Sequence, residues 1–318
     1  MSGSGASQRV ELENVFVPSN IDRNVVTTQR DVWLSGSMSD CHSAGRRFSG
    51  PHFGGPAVLS RVFGGNTATQ VCNAVRSLCS PMVVLTVKVN FLAPAIASIP
   101  TDYAITFYSS SNVANVIGYQ KGKLFVTGKA TFGNPPDFLH LPLHRMPKFN
   151  SPLQYPTLKY CMATCADPAP WNVFKTLAAA DWFDVRPIDF GRITTELRSN
   201  RSMNFWAALA PHYRTPQSLE RADGVSVVML LSDYLIGCPG LVNRALIGSH
   251  RQFDGGASLS HVVTFHTPLI DSSGWFLFET ISEVQSTNRY LLNARIFAES
   301  GELVATVVQE AYSPSSKL

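Results

Sequence analysis

The sequence lacks the features of several large protein classes. Only 15% of its 318 residues are charged, against 45% apolar, which excludes an intrinsically disordered chain. The net charge of +4 is mild, and no stripe of Lys and Arg is interleaved with aromatic residues, so nucleic acid is not expected as a partner. The six cysteines form no CxxC pair and no Cys/His ligand spacing, so we expect free buried thiols and no metal.

The two ends of the chain bear on targeting. The opening MSGSGASQRV has no apolar segment typical of signal peptides, and Asp233 and Gly237 interrupt the longest apolar run below membrane-spanning length. We therefore expect a soluble intracellular protein with no membrane span. The last three residues, Ser316, Lys317 and Leu318, match the address that a peroxisomal import receptor reads. A polar YSPSS stretch predicts that this tail is accessible, which places the protein in the peroxisome matrix; the alternative is a frayed tail that matches by chance.

A helix followed by four strands is predicted twice. The first helix contains GNTATQVCNAVRSL, and its strands contain VVLTVKVNFLAP, TDYAITFYSS, ANVIGYQ and KLFVTGKATF, with a Lys-Gly turn at 121–122. The second helix is predicted at 225–236, and its strands contain ASLSHVVTFHTP, GWFLFETISEVQ, RYLLNARIFAE and ELVATVVQEAY, with a Ser-Gly turn at 300–301. VNFLAP parallels VTFHTP, and GKLFVTGKATF parallels GELVATVVQEA, so the pattern indicates an internal duplication.

This order predicts an α+β fold, a double hotdog in which two antiparallel sheets each wrap around a central helix. The expected organisation has five parts: a flexible N-terminus at 1–20, an N-terminal hotdog at 21–135, a linker at 136–180, a C-terminal hotdog at 181–313 and a targeting tail at 314–318. The linker is rich in proline and is predicted to contain a helix near 172–180.

One acid interrupts the most hydrophobic helix of the sequence. VVMLLSDYLIG places Asp233 among apolar neighbours, with Met229, Leu230 and Ile236 three or four residues away. An unpaired carboxylate is costly to bury, so an acid in such a place is a candidate for function. The alternatives are an exposed acid at the helix edge and a structural acceptor for backbone N–H groups.

Five sequence blocks resemble the type II acyl-CoA thioesterases, a double-hotdog family. They are RVFGGNTATQVCNAV, DVRPIDF at 184–190, LLSDYLIG, ASLSHVVTFHTP and GELVATVVQEAY, and they occur in the family's order over roughly 20–135 and 181–312. Peroxisomal members of this family also end in Ser-Lys-Leu. The resemblance implies an enzyme of lipid and fatty acid metabolism that hydrolyses fatty acyl-CoA to free fatty acid and CoA.

The same resemblance assigns the catalytic residues. The family's trio falls on Asp233, Ser258 and Gln309, which together are expected to hold and activate a water that attacks the thioester. No cofactor is implied, because CoA is part of the substrate. Gln309 alternates with apolar residues, so it is expected to be buried and to need hydrogen-bond partners. The Gly65 and Asn66 amides at the start of the first helix are proposed as substrate-binding donors of an oxyanion hole, the alternative being a tight turn that needs glycine.

Two other functions stay open. A hotdog enoyl-CoA hydratase or dehydratase needs an acid paired with a histidine, and the residue before His261 is Ser260, which argues against it. A non-catalytic acyl-CoA-binding protein is the third candidate. His261 and His266 are expected to be structural and to point to opposite faces of their strand. Acyl chain length and oligomeric state are left open, with a homo-oligomer among the outcomes because hotdog sheets commonly pair edge to edge.

Overall fold

The computed structural model describes residues 46–50 as backbone, and beyond these the residues 62–79, 81–96, 99, 101–108, 111–134, 144–165, 182–188, 190, 202–214, 216, 223–236, 257–285 and 288–312. The predicted N-terminal segment 1–20, the predicted helix near 172–180 and the tail 314–318 lie outside these residues. The five domain boundaries therefore stay predictions.

Two similar series of elements follow one another along the chain. The first comprises β1 (Arg46–Gly50), α1 (Gly64–Cys79), β2 (Val83–Phe91), β3 (Thr101–Tyr108), β4 (Val113–Gln120) and β5 (Lys123–Gly133). The second comprises α2 (Leu158–Thr164), β6 (Phe183–Pro187), β7 (Ser202–Leu209), α3 (Gly224–Leu231), β8 (Ala257–Phe265), β9 (Phe276–Gln285), β10 (Arg289–Ala298) and β11 (Leu303–Tyr312). Short 3₁₀ turns lie at Pro152–Gln154 and Pro211–Tyr213.

The strands form one continuous antiparallel sheet with the order β1-β3-β4-β5-β2-β8-β11-β10-β9-β7-β6. The two predicted sheets are thus joined through β2 and β8, where Val87 pairs with Val263 and Val89 with His261. On either side of this seam, β5 flanks β2 and β11 flanks β8. The arrangement confirms the double hotdog and the internal duplication, because the four central strands are the two matched pairs of sequence blocks.

Helices α1 and α3 pack against each other and against one face of the sheet. Both are buried almost throughout, and their apolar residues share one core with the inward faces of the strands. Asp223 caps α3 by accepting a hydrogen bond from the Ser226 amide at 3.1 Å. The same carboxylate binds Arg76 of α1 at 2.8 Å, and Ser226 donates to Asn73 of α1 at 2.9 Å. These contacts fix the two helices to each other, one from each half of the chain.

Part of the predicted linker packs on the outer face of the second half. Met146, Phe149 and Tyr155 cover a small cluster that includes Trp206 and Trp275. Arg186 of β6 binds this segment by donating a hydrogen bond to the Tyr155 carbonyl at 3.0 Å. The linker is therefore not a bare connection, and α2 within it was not predicted.

The local predictions are mostly confirmed, with three corrections. Both glycine turns form, with positive φ at Lys121 and Gly122 in one and at Gly301 in the other. Helix α3 ends at Leu231, five residues before the predicted end at Ile236. Strands β6 and β7 extend the sheet beyond the four predicted strands of the second half. Cys72, Cys79 and Cys161 are free and buried as expected, whereas Cys165 is half-buried.

Candidate active site

The carboxylate, hydroxyl and amide predicted to act together do meet in space. Ser258 Oγ donates to Asp233 Oδ1 at 3.1 Å, and Gln309 Nε2 donates to the same oxygen at 2.7 Å. Gln309 Nε2 also binds Ser258 Oγ, so each member of the trio contacts the other two. Asp233 is 9% exposed and Gln309 is 3% exposed, whereas Ser258 is half-buried, so solvent reaches the cluster only from the Ser258 side.

Asp233 was predicted to lie within the helix at 225–236, but it lies in the turn that follows α3. Ser232 ends the helix, because its hydroxyl donates back to the Met229 carbonyl at 2.7 Å. The next turn is tighter, with the Tyr234 amide donating to the Leu231 carbonyl at 2.9 Å. A carboxylate at a helix C-terminus faces the negative end of that helix dipole, which disfavours its charge.

The first half of the chain compensates for this position. The N-terminus of α1 points at Asp233, and the Gly65 amide donates a hydrogen bond to its carboxylate. The approach is so close that a Cβ on Gly64 would lie 2.6 Å from Asp233 Oδ2, and a Cβ on Gly65 would lie 2.7 Å from the Leu230 carbonyl. Among the described glycines only Gly122 and Gly301 have positive φ. Gly64 and Gly65 are therefore required by space and not by backbone conformation.

These surroundings act in opposite directions on the acid. Burial raises the pKa of Asp233 above its ordinary value, and this is the largest effect. His261, the hydrogen bonds from Gln309 and Ser258, and the Gly65 amide each lower the pKa again. The outcome is a carboxyl group with a raised pKa, which makes the ionised form a stronger base than an exposed aspartate.

Ser258 reaches this site because strand β8 contains a bulge. Ser260 pairs with Glu310, but Ser258 already pairs with Ala311, so Leu259 is an extra residue without a partner. Strict alternation would put Ser258 on the same face as Ser260, away from the helices. The bulge turns Ser258 to the face that carries His261 and Gln309.

The matched positions in the first half hold no comparable group. Asn73 lies nine residues after Gly64 at the start of α1, as Asp233 lies nine residues after Gly224 at the start of α3. Val87 pairs with Ala130 just as His261 pairs with Gln309. Val84, which is the counterpart of Ser258 when the two halves of the sequence are matched, is 4% exposed and packs in the core. The duplicated fold thus carries one complete trio in the described residues.

The other predicted site residues have mixed outcomes. The Gly65 amide faces the Asp233 carboxylate, and the Asn66 amide donates to the Phe63 carbonyl at 3.1 Å, so the oxyanion hole formed by these two amides stays a prediction. Ser316, Lys317 and Leu318 lie outside the described residues. Over the part of the chain that is described, no group of three or more His, Cys, Asp or Glu side chains is arranged to hold a metal ion. No helix in that part is long and apolar enough to cross a membrane.

Ser232 and His261 are the site neighbours that sequence reasoning missed. Ser232 Oγ and His261 Nε2 are 2.7 Å apart, and both residues are fully buried. The signal in the sequence was the alternation of β8, which puts His261 on the same buried face as Val263 and Phe265. His266 is on the opposite face and contacts Thr306 at 3.1 Å, as the odd separation predicted.

Comparison with known proteins gives a family-model match to the second half of the chain and solved structures with a similar fold. Residues 161–313 match the family model described as the acyl-CoA thioesterase C-terminal domain. The chain is similar to a tesB protein of Mycobacterium avium subsp. paratuberculosis, with 22% identity, a TM-score of 0.64, and coverage of 85% of this chain and 93% of that one. An acyl-CoA thioesterase II from Mycobacterium marinum matches at 20% identity and TM-score 0.64, covering 85% and 94%.

A protein with a hot dog fold from Alicyclobacillus acidocaldarius matches at 19% identity and TM-score 0.67, covering 87% of this chain and 96% of that one. The dehydratase domain of RzxB from Pseudomonas fluorescens is less similar, at 13% identity and TM-score 0.52, covering 86% and 97%. At these identities the structural matches bear on the fold. They show that the fold of this chain is the double hotdog, and the match to the acyl-CoA thioesterase C-terminal domain concerns residues 161–313.

Proposed function

We propose that the protein is a thioester hydrolase that converts fatty acyl-CoA to free fatty acid and CoA. The observation that carries this proposal is the convergence of Asp233, Ser258 and Gln309 in one hydrogen-bonded cluster around a buried carboxylate. A carboxylate with a raised pKa, next to a hydroxyl and an amide, suits the activation of water at a thioester carbonyl. The family match over the second half supports the same reaction.

The proposed mechanism needs no covalent acyl-enzyme. Asp233 accepts a proton from water while the water oxygen bonds to the thioester carbon, giving a tetrahedral intermediate with a negative oxygen. The intermediate collapses, the carbon–sulfur bond breaks, and the leaving thiolate takes up the proton from Asp233. Ser258 and Gln309 fix the carboxylate and orient the water, so less entropy is lost on the way to the transition state.

The experiment is an assay of thiol release from a panel of acyl-CoA substrates of increasing chain length. Ser258→Ala and Gln309→Ala should each lower kcat, and combining either with Asp233→Asn should add little, because groups that act on one water are not additive. Ser260→Ala is the matched control, since Ser260 lies on the other face of the same strand and should retain wild-type kcat. Equal activity of the Ser258 and Ser260 variants would remove Ser258 from the mechanism.

A dehydratase is the second candidate, because Asp233 and His261 are both buried and interact through their charges: His261 acts to lower the pKa of Asp233, and Asp233 acts to raise the pKa of His261. Against it, His261 is completely buried and its Nε2 contacts Ser232, so the ring does not face a substrate. Hydration of an enoyl-CoA without thiol release would favour this candidate. Stoichiometric binding of acyl-CoA with neither reaction would favour a non-catalytic acyl-CoA-binding protein.

We also propose that the protein acts in the peroxisome matrix, in fatty acid metabolism, after recognition of Ser316, Lys317 and Leu318 by the import receptor. A CoA thioester is then the ligand at the site and no separate cofactor is needed. The proposal about location rests on the C-terminal tripeptide alone and is independent of the proposed reaction.

A further inference from the structure

The Asp233 carboxylate has one oxygen that the other members of the trio do not use. Ser258 and Gln309 both donate to Oδ1, and these two hydrogen bonds occupy both lone pairs of that oxygen. A proton taken from water must therefore go to Oδ2. A Cβ on Gly64 would lie 2.6 Å from Oδ2, so this oxygen faces the start of α1 at a residue that has no side chain. The water and the thioester carbonyl must meet there.

The ring of Phe91 lies between this point and the open side of the trio. Phe91 Cζ would be 3.3 Å from a Cβ on Gly64. Asn90, the preceding residue, makes the last pair between β2 and β8 with Ser260, so Phe91 and Ser258 lie at the same end of the seam. Both side chains are half-buried. A substrate that arrives from solvent on the Ser258 side therefore meets an aromatic ring next to the base.

The loop after β2 adds two exposed apolar side chains to this region. Leu92 is 54% exposed and Ile96 is 47% exposed. Hydrogen bonds hold the loop in place near the start of α1, because the Val62 amide donates to the Ala95 carbonyl at 2.9 Å. The side chain of Gln120 accepts from the Ile96 amide at 2.8 Å and donates to the Ile96 carbonyl at 3.0 Å. Leu92 and Ile96 are therefore exposed on a loop with a defined position.

The matched loop in the second half of the chain has the opposite arrangement. When the two halves are matched at their shared proline, Ile270 is the counterpart of Ile96 and Phe265 is the counterpart of Phe91. A Cβ on Gly224, at the start of α3, would overlap the Ile270 carbonyl oxygen, so this loop covers the start of that helix. Phe265 is 3% exposed and belongs to the core. The duplication thus contains one covered helix start and one that the matched loop leaves open, and the open one is at the trio.

We propose that the acyl-CoA thioester reaches Asp233 through the opening at the start of α1, and that its acyl chain lies against Phe91, Leu92 and Ile96. The inference rests on the proposed thioesterase function for the identity of the ligand. An alkyl chain fits this surface because each methylene that leaves water there stabilises the complex, whereas the phosphates and nucleotide of CoA are polar. The three side chains then set the preference for chain length, and affinity should rise about fourfold for each methylene that they cover.

The test is the dependence of kcat/KM for thiol release on chain length, with acetyl-, hexanoyl- and decanoyl-CoA. Leu92→Ser and Ile96→Ser should each lower kcat/KM for decanoyl-CoA by about 4- to 16-fold, the contact of one or two methylenes, and the loss should shrink as the chain shortens. Leu269→Ser is the matched control, because Leu269 is an exposed leucine on the matched loop of the second half. It should follow the wild type at every chain length. Calorimetry with the thioethers S-ethyl-, S-hexyl- and S-decyl-CoA gives the same comparison for binding without reaction.

Equal losses for acetyl- and decanoyl-CoA would overturn the proposal, because Leu92 and Ile96 would then contact the part of the substrate that all chain lengths share. A wild-type profile in both variants would overturn it as well. So would an unchanged profile with a different oligomeric state in sedimentation, which would make the surface a contact between two copies of the chain. If the wild type releases no thiol, thioether binding that strengthens with chain length and weakens in both variants would still support the opening, and the proposed function alone would fail. Thiol release with equal thioether binding by all variants would refute the opening and leave the function.

Discussion

Replacing Asp233 with asparagine tests whether the buried acid is the base. The variant keeps the size of the side chain and removes its ability to accept a proton. Loss of a general base costs about 10²- to 10⁴-fold in rate, or about 3 to 5 kcal/mol of transition-state stabilisation. We expect kcat for thiol release to fall by that factor, with Asp271→Asn, an exposed carboxylate on a loop, as the matched control.

The effect on stability follows from the donors around the carboxylate. Gln309, Ser258 and the Gly65 amide all donate to Asp233, whereas an asparagine has one acceptor oxygen in place of two. One donor therefore loses its acceptor, which costs about 1 kcal/mol. The loss is opposed by the relief of burying a charge. The two effects nearly cancel, and the melting temperature at pH 7 should change by no more than about 4 °C.

The raised pKa of Asp233 also predicts how the stability of the protein depends on pH. Because the pKa of Asp233 is raised in the folded protein, the native state holds this proton more tightly than the unfolded chain. Its contribution to stability is therefore present below the ordinary carboxyl pKa and is lost as pH rises through the folded value. The asparagine variant should lack this loss. A kcat close to that of the wild type, or a collapse of the melting temperature that accounts for the lost activity, would show that the acid is structural.

Three further predictions follow from the geometry and the tail. Gly64→Ala should lower kcat and destabilise the fold by about 1 to 3 kcal/mol, because its Cβ would lie 2.6 Å from Asp233 Oδ2 and 3.3 Å from Phe91. The control Gly274→Ala meets only ordinary contacts and should be neutral. Equal melting temperatures and rates in both variants would contradict this prediction. A non-hydrolysable acyl-CoA analogue should titrate one catalytic site per chain by calorimetry, because the matched residues Val84 and Ala130 of the first half are aliphatic and buried; a stoichiometry of two would contradict this. Deleting Ser316–Leu318 should leave the protein in the cytosol by fluorescence microscopy without changing the activity of the purified enzyme, and unchanged peroxisomal import would remove the targeting role.

The sequence carried enough information to place the main elements but not the details that build the site. Alternation and helical spacing located the two helices and the four strands after each, because those patterns report which face is buried. The end of α3 at Leu231 depends on the Ser232 hydroxyl turning back to the Met229 carbonyl, a competition that spacing does not reveal. Strand β7 was missed because its buried residues on both faces leave no clean alternation.

The trio was predicted from the resemblance to a family, and the two-residue alternation of side chains along a strand could not have predicted its geometry. Alternation puts Ser258 on the outer face, and only the bulge at Leu259 brings it to Asp233. The contact between Gly65 and Asp233 joins residues far apart in the chain, so no local pattern predicts it. His261 was interpreted as structural because the sequence showed no partner for it, and its partners on α3 and β11 appear only after the sheet closes over the helix.

The seam between β2 and β8 determines whether the two halves can exist apart. A fragment cut in the linker would keep Asp233, Ser258 and Gln309, yet the backbone groups of β8 that pair with β2 would become an open edge. Such an edge recruits other strands, so the fragment is expected to aggregate or to pair with a second copy of itself. It would also lose the Gly65 amide over its carboxylate. The first half of the chain, which has no trio of its own, thereby supplies one wall of the site in the second half.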